Sequence, residues 1–349
     1  MKKTYLRPLG LVFGPDARAM IDAGKAQPLA GHGGIAFTHI ERIVRHGKAI
    51  ERKVFSAAQM ANSAVMARLC QLRKGFGKLD LTQTRLMGII NVTPDSFSDG
   101  GLLGSSAAAV KHGRQLAIEG ADLLDIGGES TRPGSDSVSD ELEASRILPV
   151  ISGLKGVRPL SADTRKASVM SAALAVGADI INDVSGLSYD AESAGIVARA
   201  KCPVVLMHAQ GAPKTMQLNP RYDDVLLDVY DGLEILVERA LAAGIKRERI
   251  CIDPGIGFGK SFAQNLRLMA GLTLFHGLGA PLLVGLSRKG FVGAVSGEKL
   301  AHERVFGSVG GALHAAQAGA HILRVHDVRA TRAALSMFTA SHDPDSADV

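Results

Sequence analysis

Residues 86–101, LMGIINVTPDSFSDGG, run an apolar segment (86–90) directly into a polar cluster of Asn, Thr, Asp, Ser and Gly that contains Pro94. An apolar run bounded in this way reads as a buried strand emptying into a loop. The same grammar recurs at 121–126, 159–162, 178–181, 203–207, 249–252, 281–286 and 321–325, which makes eight runs. Between them lie Ala-rich segments of helical periodicity: 105–119, 139–153, 166–176, 191–200, 222–243, 262–275, 302–317 and 327–341. Strands that alternate with helices of this length pair in parallel through right-handed crossovers, and eight such units close into a (β/α)8 TIM barrel. The alternative architecture is an open doubly wound sheet.

The chain is 46% hydrophobic and 21% charged, with 4% aromatic residues and no Trp, so its core is aliphatic, as barrel layers are. No run of 18 apolar residues is present, and the N-terminus MKKTYLRPLG lacks a secretory pattern, which predicts a cytoplasmic protein with no membrane partner. Cys70, Cys202 and Cys251 are odd in number and scattered, as buried thiols in a reducing compartment are. The net charge of +6 suits a small anionic substrate. The densest basic cluster, 42–53, is interrupted by Ile, His and Glu, so nucleic acid is not expected.

A barrel needs roughly 250 residues. The expected division is therefore an N-terminal extension over 1–83, a catalytic barrel over 84–340 and a tail over 341–349. Within the extension, a Gly-rich turn at 31–34, strands at 36–40 and 48–55 and a short helix at 56–69 suggest a small α+β unit, followed by a polar linker at 71–84. A chain starting near Thr82 would keep all eight strands. The role of the extension is not legible.

Catalytic groups of such barrels collect at the C-terminal ends of the strands. There the sequence places Asn91, then Asp125 with GGESTRPGS, then Asp163, Asn182 with Asp183, Met207 with His208, Asp253 in DPGIGFGK, Ser287 to Lys289, and Arg324, His326 and Asp327. Each has a plainer reading: Asp163 as a helix cap, Asn182 as a turn residue, Lys289 as a solvated side chain. Together they divide into two chemistries. Asp163, Asn182, Asp253 and Lys289 suit a flat heterocycle carrying several N–H donors and one carbonyl, a guanine-like or pterin-like edge. Asn91, Arg132, Ser287, Arg324 and His326 are donor-rich and suit a diphosphate with Mg²⁺. A pocket with both ends points to a transferase with diphosphate as leaving group.

NVTPDSFSDGG at 91–101, DIGGESTRPGS at 125–135, Asp163-Thr164, INDVSG at 181–186, DPGIGFGK at 253–260, SRK at 287–289 and RVHDV at 324–328 resemble, in order and spacing over 86–338, the signatures of dihydropteroate synthases. The resemblance implies the folate-pathway condensation of 6-hydroxymethyl-7,8-dihydropterin diphosphate with 4-aminobenzoate, Mg²⁺ as cofactor, sulfonamide sensitivity and a homodimer. It makes Asp163, Asn182, Asp253 and Lys289 the pterin-edge contacts, with Met207 and Phe258 against the ring. It places the Mg²⁺-diphosphate on Asn91, Arg324 and His326, with Ser287 nearby, and builds the aminobenzoate pocket from Phe97, Thr131, Arg132, Pro133 and Lys289. Asp163, Lys289 and Arg132 are the expected catalytic groups. Gly290 departs from the hydroxyl residue that often follows the Lys in relatives. Two rivals share part of the pattern: a pterin-dependent methyltransferase, which has no use for the diphosphate groups, and a non-catalytic pterin-binding paralogue.

Overall fold

The computed structural model describes residues 2–32, 34–60, 64–73, 75–92, 106–130, 135–211 and 214–344. The chain begins with β1 (Lys2–Phe13), α1 (Gly14–Asp22), β2 (Gln27–Pro28), β3 (Ile35–His46), β4 (Ala49–Ser56), α2 (Ala64–Cys70), β5 (Gly75–Phe76) and β6 (Leu79–Asp80). It continues through β7 (Arg85–Asn91), α3 (Ser106–Ile118), β8 (Leu123–Gly127), α4 (Asp140–Leu154), β9 (Leu160–Asp163), α5 (Ala167–Val176), β10 (Ile180–Asp183) and α6 (Ser193–Ala200). It ends with β11 (Val204–Met207), α7 (Val225–Ala242), β12 (Ile250–Asp253), α8 (Phe262–Ala270), β13 (Leu283–Val284), α9 (Gly290–Ser296), α10 (Val305–Gln317), β14 (Ile322–Val325) and α11 (Val328–His342).

Strands β7 to β14 form one eight-stranded parallel sheet in the order β12-β11-β10-β9-β8-β7-β14-β13, and a bridge between Ile252 and Leu282 joins its two ends into a ring. The fold is the (β/α)8 barrel. Side chains alternate across a strand. One phase, including Leu86, Ile90, Leu124, Leu160, Val204 and Leu323, is buried against the surrounding helices. The other phase, Met87, Leu123, Ile180, Val205, Cys251, Leu283 and Ile322, fills the lower lumen. Advancing two or four residues in this second phase, whose member on β9 is the buried Ser161, reaches Asn91, Asp125, Asp163, Asn182, Met207, Asp253 and Arg324. The alternation that packs the bottom of the barrel therefore aims polar groups, with Met207 among them, into its top.

The lower lumen has one further contributor. Phe76, Leu79 and Leu81 belong to the same buried cluster as Met87 and Leu283, so the β5–β6 hairpin stoppers the barrel. The sequence assigns 71–84 to a polar linker; within it Phe76, Leu79 and Leu81 are buried while Lys78 and Asp80 are exposed. The helix expected at 56–69 is a 3-10 turn at Ala58–Met60 and then α2. The helix expected at 262–275 ends at Ala270 and continues as a 3-10 helix, Leu272–Leu278.

In the extension β3 pairs antiparallel with β1, β2 and β4. Leu6, Leu29, Phe37, Ile40, Ala57, Met66 and Leu69 make a small core between this sheet and α2. The sheet lies along α7: Tyr5 donates to Asp231 at 2.9 Å and meets the Tyr230 ring edge-on at 5.3 Å, and Lys3 pairs with Asp231 and Glu234. The three cysteines are free thiols. Among the described residues no helix is long and apolar enough to cross a membrane.

Candidate active site

At the top of the lumen one guanidinium joins two carboxylates. Arg324 Nε donates to Asp125 Oδ2 at 2.6 Å and its Nη2 to Asp163 Oδ2 at 2.8 Å. Asn182 Nδ2 donates to the same Asp125 oxygen at 3.1 Å. Asp163 does not cap the following helix, whose N-cap is Lys166, and Asn182 lies within β10 rather than in a turn, so neither has its plainer role. Burial drives the Asp163 carboxyl well above the usual carboxylate range; the Arg324 charge opposes this and Asp125 adds to it. Asp125 is fully buried, and its Oδ1 has no hydrogen-bond partner among the described residues. Two carboxylates sharing one cation leave acceptor capacity facing the lumen, which an N–H-rich ring edge would fill.

The loop after β12 supplies the adjoining wall. Asp253 Oδ1 accepts the Gly255 N–H at 2.7 Å, and burial raises its carboxyl while Lys289 and that N–H oppose the shift. Gly255, Gly257 and Gly259 adopt φ of 65°, 87° and 60°, a left-handed region that Gly enters without strain. Lys260 is buried inside the turn and donates to the carbonyls of Gly255 and Phe258 at 2.9 Å each and of His208 at 3.1 Å. Burial lowers the Lys260 ammonium to about 7. Asn265 Oδ1 accepts the Gly257 N–H at 2.7 Å. This frame presents the half-buried Phe258, with Lys289 Nζ 4.5 Å above its ring centroid. Lys289 donates to the Ile256 carbonyl and so is not a freely solvated side chain; burial lowers it to about 8, with Asp253 pulling the other way. Met207 is 3% exposed at the end of β11.

The strand ends β13 and β14 meet at Ser287 and His326. The Ser287 hydroxyl accepts the His326 N–H at 3.2 Å and lies 3.1 Å from its Nδ1. Between Ser287 and Lys289, Arg288 takes φ 59°, and its guanidinium grips Asp327 through Nε at 3.0 Å and Nη2 at 2.6 Å. This strained residue turns the chain so that Ser287 and Lys289 enter the site from one short segment.

Asn91 ends β7 in the inward phase. Among the described residues no three His, Cys, Asp or Glu side chains are grouped to hold a metal ion. A single neutral amide oxygen fits a Mg²⁺ that keeps several waters and is bound chiefly by the phosphate oxygens of a substrate. Phe97, Thr131, Arg132 and Pro133 lie outside the described residues.

A family model described as pterin binding enzyme matches residues 87–326. The dihydropteroate synthase of Neisseria meningitidis serogroup B is 48% identical over 269 residues, covering 75% of this chain and 94% of its own length. That of Escherichia coli K12 is 45% identical over 267 residues, covering 75% and 93%. The chain belongs to the dihydropteroate synthase family. A crystal structure of the Xanthomonas albilineans dihydropteroate synthase with 4-aminobenzoic acid superposes with a TM-score of 0.71 at 51% identity, over 75% of this chain and 94% of that one. The Xanthomonas albilineans synthase in complex with 7,8-dihydropteroate gives 0.69 at 49% identity, over 75% and 95%.

Asp125, named in the sequence as a strand-end group without a role of its own, is the hub of the Arg324 and Asn182 contacts. Other buried groups of this synthase fold escape a reading of motifs alone. Beyond the end of β8, Lys166 Nζ lies 2.7 Å from both Glu129 and Glu143 and donates to the Val138 carbonyl at 2.6 Å, while Arg165 also pairs with Glu129. This cluster anchors residue 129, just before the segment that carries Thr131 to Pro133. Asn265 and Glu143 sit inside helices, where no local pattern marks a polar residue as buried.

Proposed function

We infer that the chain condenses 6-hydroxymethyl-7,8-dihydropterin diphosphate with 4-aminobenzoate, giving 7,8-dihydropteroate and diphosphate. What carries the reading is the convergence, at the mouth of a closed barrel, of an acceptor-rich wall (Asp125, Asp163, Asp253) with Asn182 and Arg324 in one strand phase, joined by Lys289 from the segment after β13. The pterin N–H groups would donate to Asp163, Asn182 and Asp253, the ring carbonyl would accept from Lys289, and Met207 and Phe258 would pack on the ring faces.

The C–O bond to the diphosphate breaks with its electron pair leaving on the diphosphate oxygen. The positive charge that develops on the methylene is shared by the dihydropterin ring and faced by Asp163. The arylamine nitrogen then bonds to that carbon and loses a proton. Arg324, His326 and Ser287 would neutralise the departing diphosphate. Mg²⁺, held through the diphosphate and Asn91, would supply further charge neutralisation to the leaving group. Phe97, Thr131, Arg132 and Pro133 would complete the aminobenzoate pocket, whose closure would exclude the water that competes for the methylene.

The same reading takes the protein as a cytoplasmic homodimer. Three free thiols support the compartment, and the exposed Phe306, Val295 and Leu300 around α9 and α10 support a contact between subunits. The test is diphosphate release with 4-aminobenzoate as acceptor, in the presence of a sulfonamide that mimics it. Inhibition should weaken as 4-aminobenzoate rises; inhibition independent of 4-aminobenzoate would overturn the pocket.

A further inference from the structure

Every helix of a (β/α)8 barrel starts at the face where the strand ends open, so the first turn of α7 stands at the rim of the site. That turn is gripped from outside by the N-terminal extension. Arg52 of β4 donates to Asp224 Oδ2 at 2.9 Å, while Asp224 Oδ1 caps the N–H groups of Leu226 and Leu227 at 3.1 and 3.2 Å. Arg45 of β3 pairs with Asp228 Oδ1, whose other oxygen accepts the N–H groups of Asp223 and Asp224 at 2.8 and 3.2 Å. Two cations of the extension thus hold the two carboxylates that fix the start of the helix.

The residues just before this turn bind the pterin-side loop. Tyr222 donates to the Gly259 carbonyl at 2.9 Å. Gln217 Nε2 donates to the Gly257 carbonyl at 2.6 Å. Arg221 and Gln210 exchange hydrogen bonds of 2.9 Å in both directions. The Gln210 carbonyl approaches Gly259 so closely that a Cβ there would sit 2.3 Å from it. Gly257 and Gly259 flank Phe258, and the turn that contains them carries Lys289 above it. The contacts therefore run without a gap from β3 and β4, through the first turn of α7 and Tyr222, to the 257–260 turn.

We propose that the N-terminal sheet is a positioning element for the pterin half of the site, with Arg45 and Arg52 fixing the start of α7 and Tyr222 passing that position to the 257–260 turn. The proposal rests on the synthase reading. It also gives a role to a segment that precedes the family match, which begins at residue 87. These ion pairs are partly exposed, so as stability devices they would contribute little. Their effect belongs in substrate affinity.

The experiment measures KM for each substrate, kcat and Tm of the full-length chain carrying Arg45→Met and Arg52→Met, alone and together, beside Arg45→Lys and Arg52→Lys. Coupling carried through packed contacts of this kind changes affinity by about twofold to thirtyfold. The Met variants should raise KM for the pterin diphosphate by a factor in that range, leave KM for 4-aminobenzoate and kcat near wild type, and be largely rescued by the Lys variants. Tyr222→Phe should raise the same KM, and its combination with the double Met variant should give no more than the larger of the two effects. Should the double variant fail to fold, Arg52→Met alone is read in the same way. An unchanged pterin KM, a parallel loss in both KM values and kcat, or multiplicative effects with Tyr222→Phe would overturn the proposal. Absence of turnover in the wild-type chain would instead overturn the synthase reading itself.

Discussion

Asp253 and Lys289 illustrate how much of the chemistry rests on protonation state. The Asp253 carboxylate keeps one oxygen on the Gly255 N–H, so its other oxygen is the acceptor left for a ligand. Asp253→Asn replaces a charged acceptor with an amide, which should weaken pterin diphosphate binding by about 1.5–3 kcal/mol, roughly tenfold to a hundredfold in Kd. Calorimetry reads this directly, and an unchanged Kd would remove Asp253 from the pterin edge. Lys289 must carry its proton to donate to a ring carbonyl. Because burial lowers it to about 8, the donor is lost as pH rises through that value, and kcat/KM for the pterin diphosphate should fall on the alkaline side near 8. Lys289→Arg keeps its proton, so that limb should move out to higher pH. A profile that stays flat through this range in the wild type would contradict the assignment.

The barrel strands are legible in sequence because each combines an apolar run with a polar terminus, and period 2 alone decides which terminal groups point inward. Asp163 and Asn182 follow from that rule. β1 is not legible: it is a 12-residue strand carrying Pro8, and Pro within a run argues against a strand unless it lies at an edge. Lys166 and Glu143 are equally hidden, since charged residues in or beside a helix normally face water. The structure buries both with Glu129 in one ion cluster. Lys166→Met would leave two buried carboxylates without their shared cation and should cost about 3–5 kcal/mol of stability in urea unfolding. A loss below about 1 kcal/mol would show that the cluster relaxes into solvent.

At the scale of the whole molecule, the stability of the barrel rests on a stopper at the end opposite the site. Phe76 is fully buried in the lower lumen although it precedes the first barrel strand. Phe76→Ala should destabilise the chain by about 3–5 kcal/mol, with both KM values close to wild type because the cavity opens far from the strand ends. A lowered midpoint with altered KM would instead mean that the bottom of the barrel communicates with its mouth. The central claim is one reaction, the condensation of the pterin diphosphate with 4-aminobenzoate at the mouth of this barrel.

The measurement that tests it most directly is single-vessel turnover with 6-hydroxymethyl-7,8-dihydropterin diphosphate, Mg²⁺ and 4-aminobenzoate labelled at its amino nitrogen, with products identified by mass. One labelled 7,8-dihydropteroate is expected for each diphosphate released, with release slowed by about fivefold to fiftyfold when Asp253→Asn is assayed at wild-type KM concentrations. Diphosphate released together with 6-hydroxymethyl-7,8-dihydropterin, or without incorporation of the label, would contradict it.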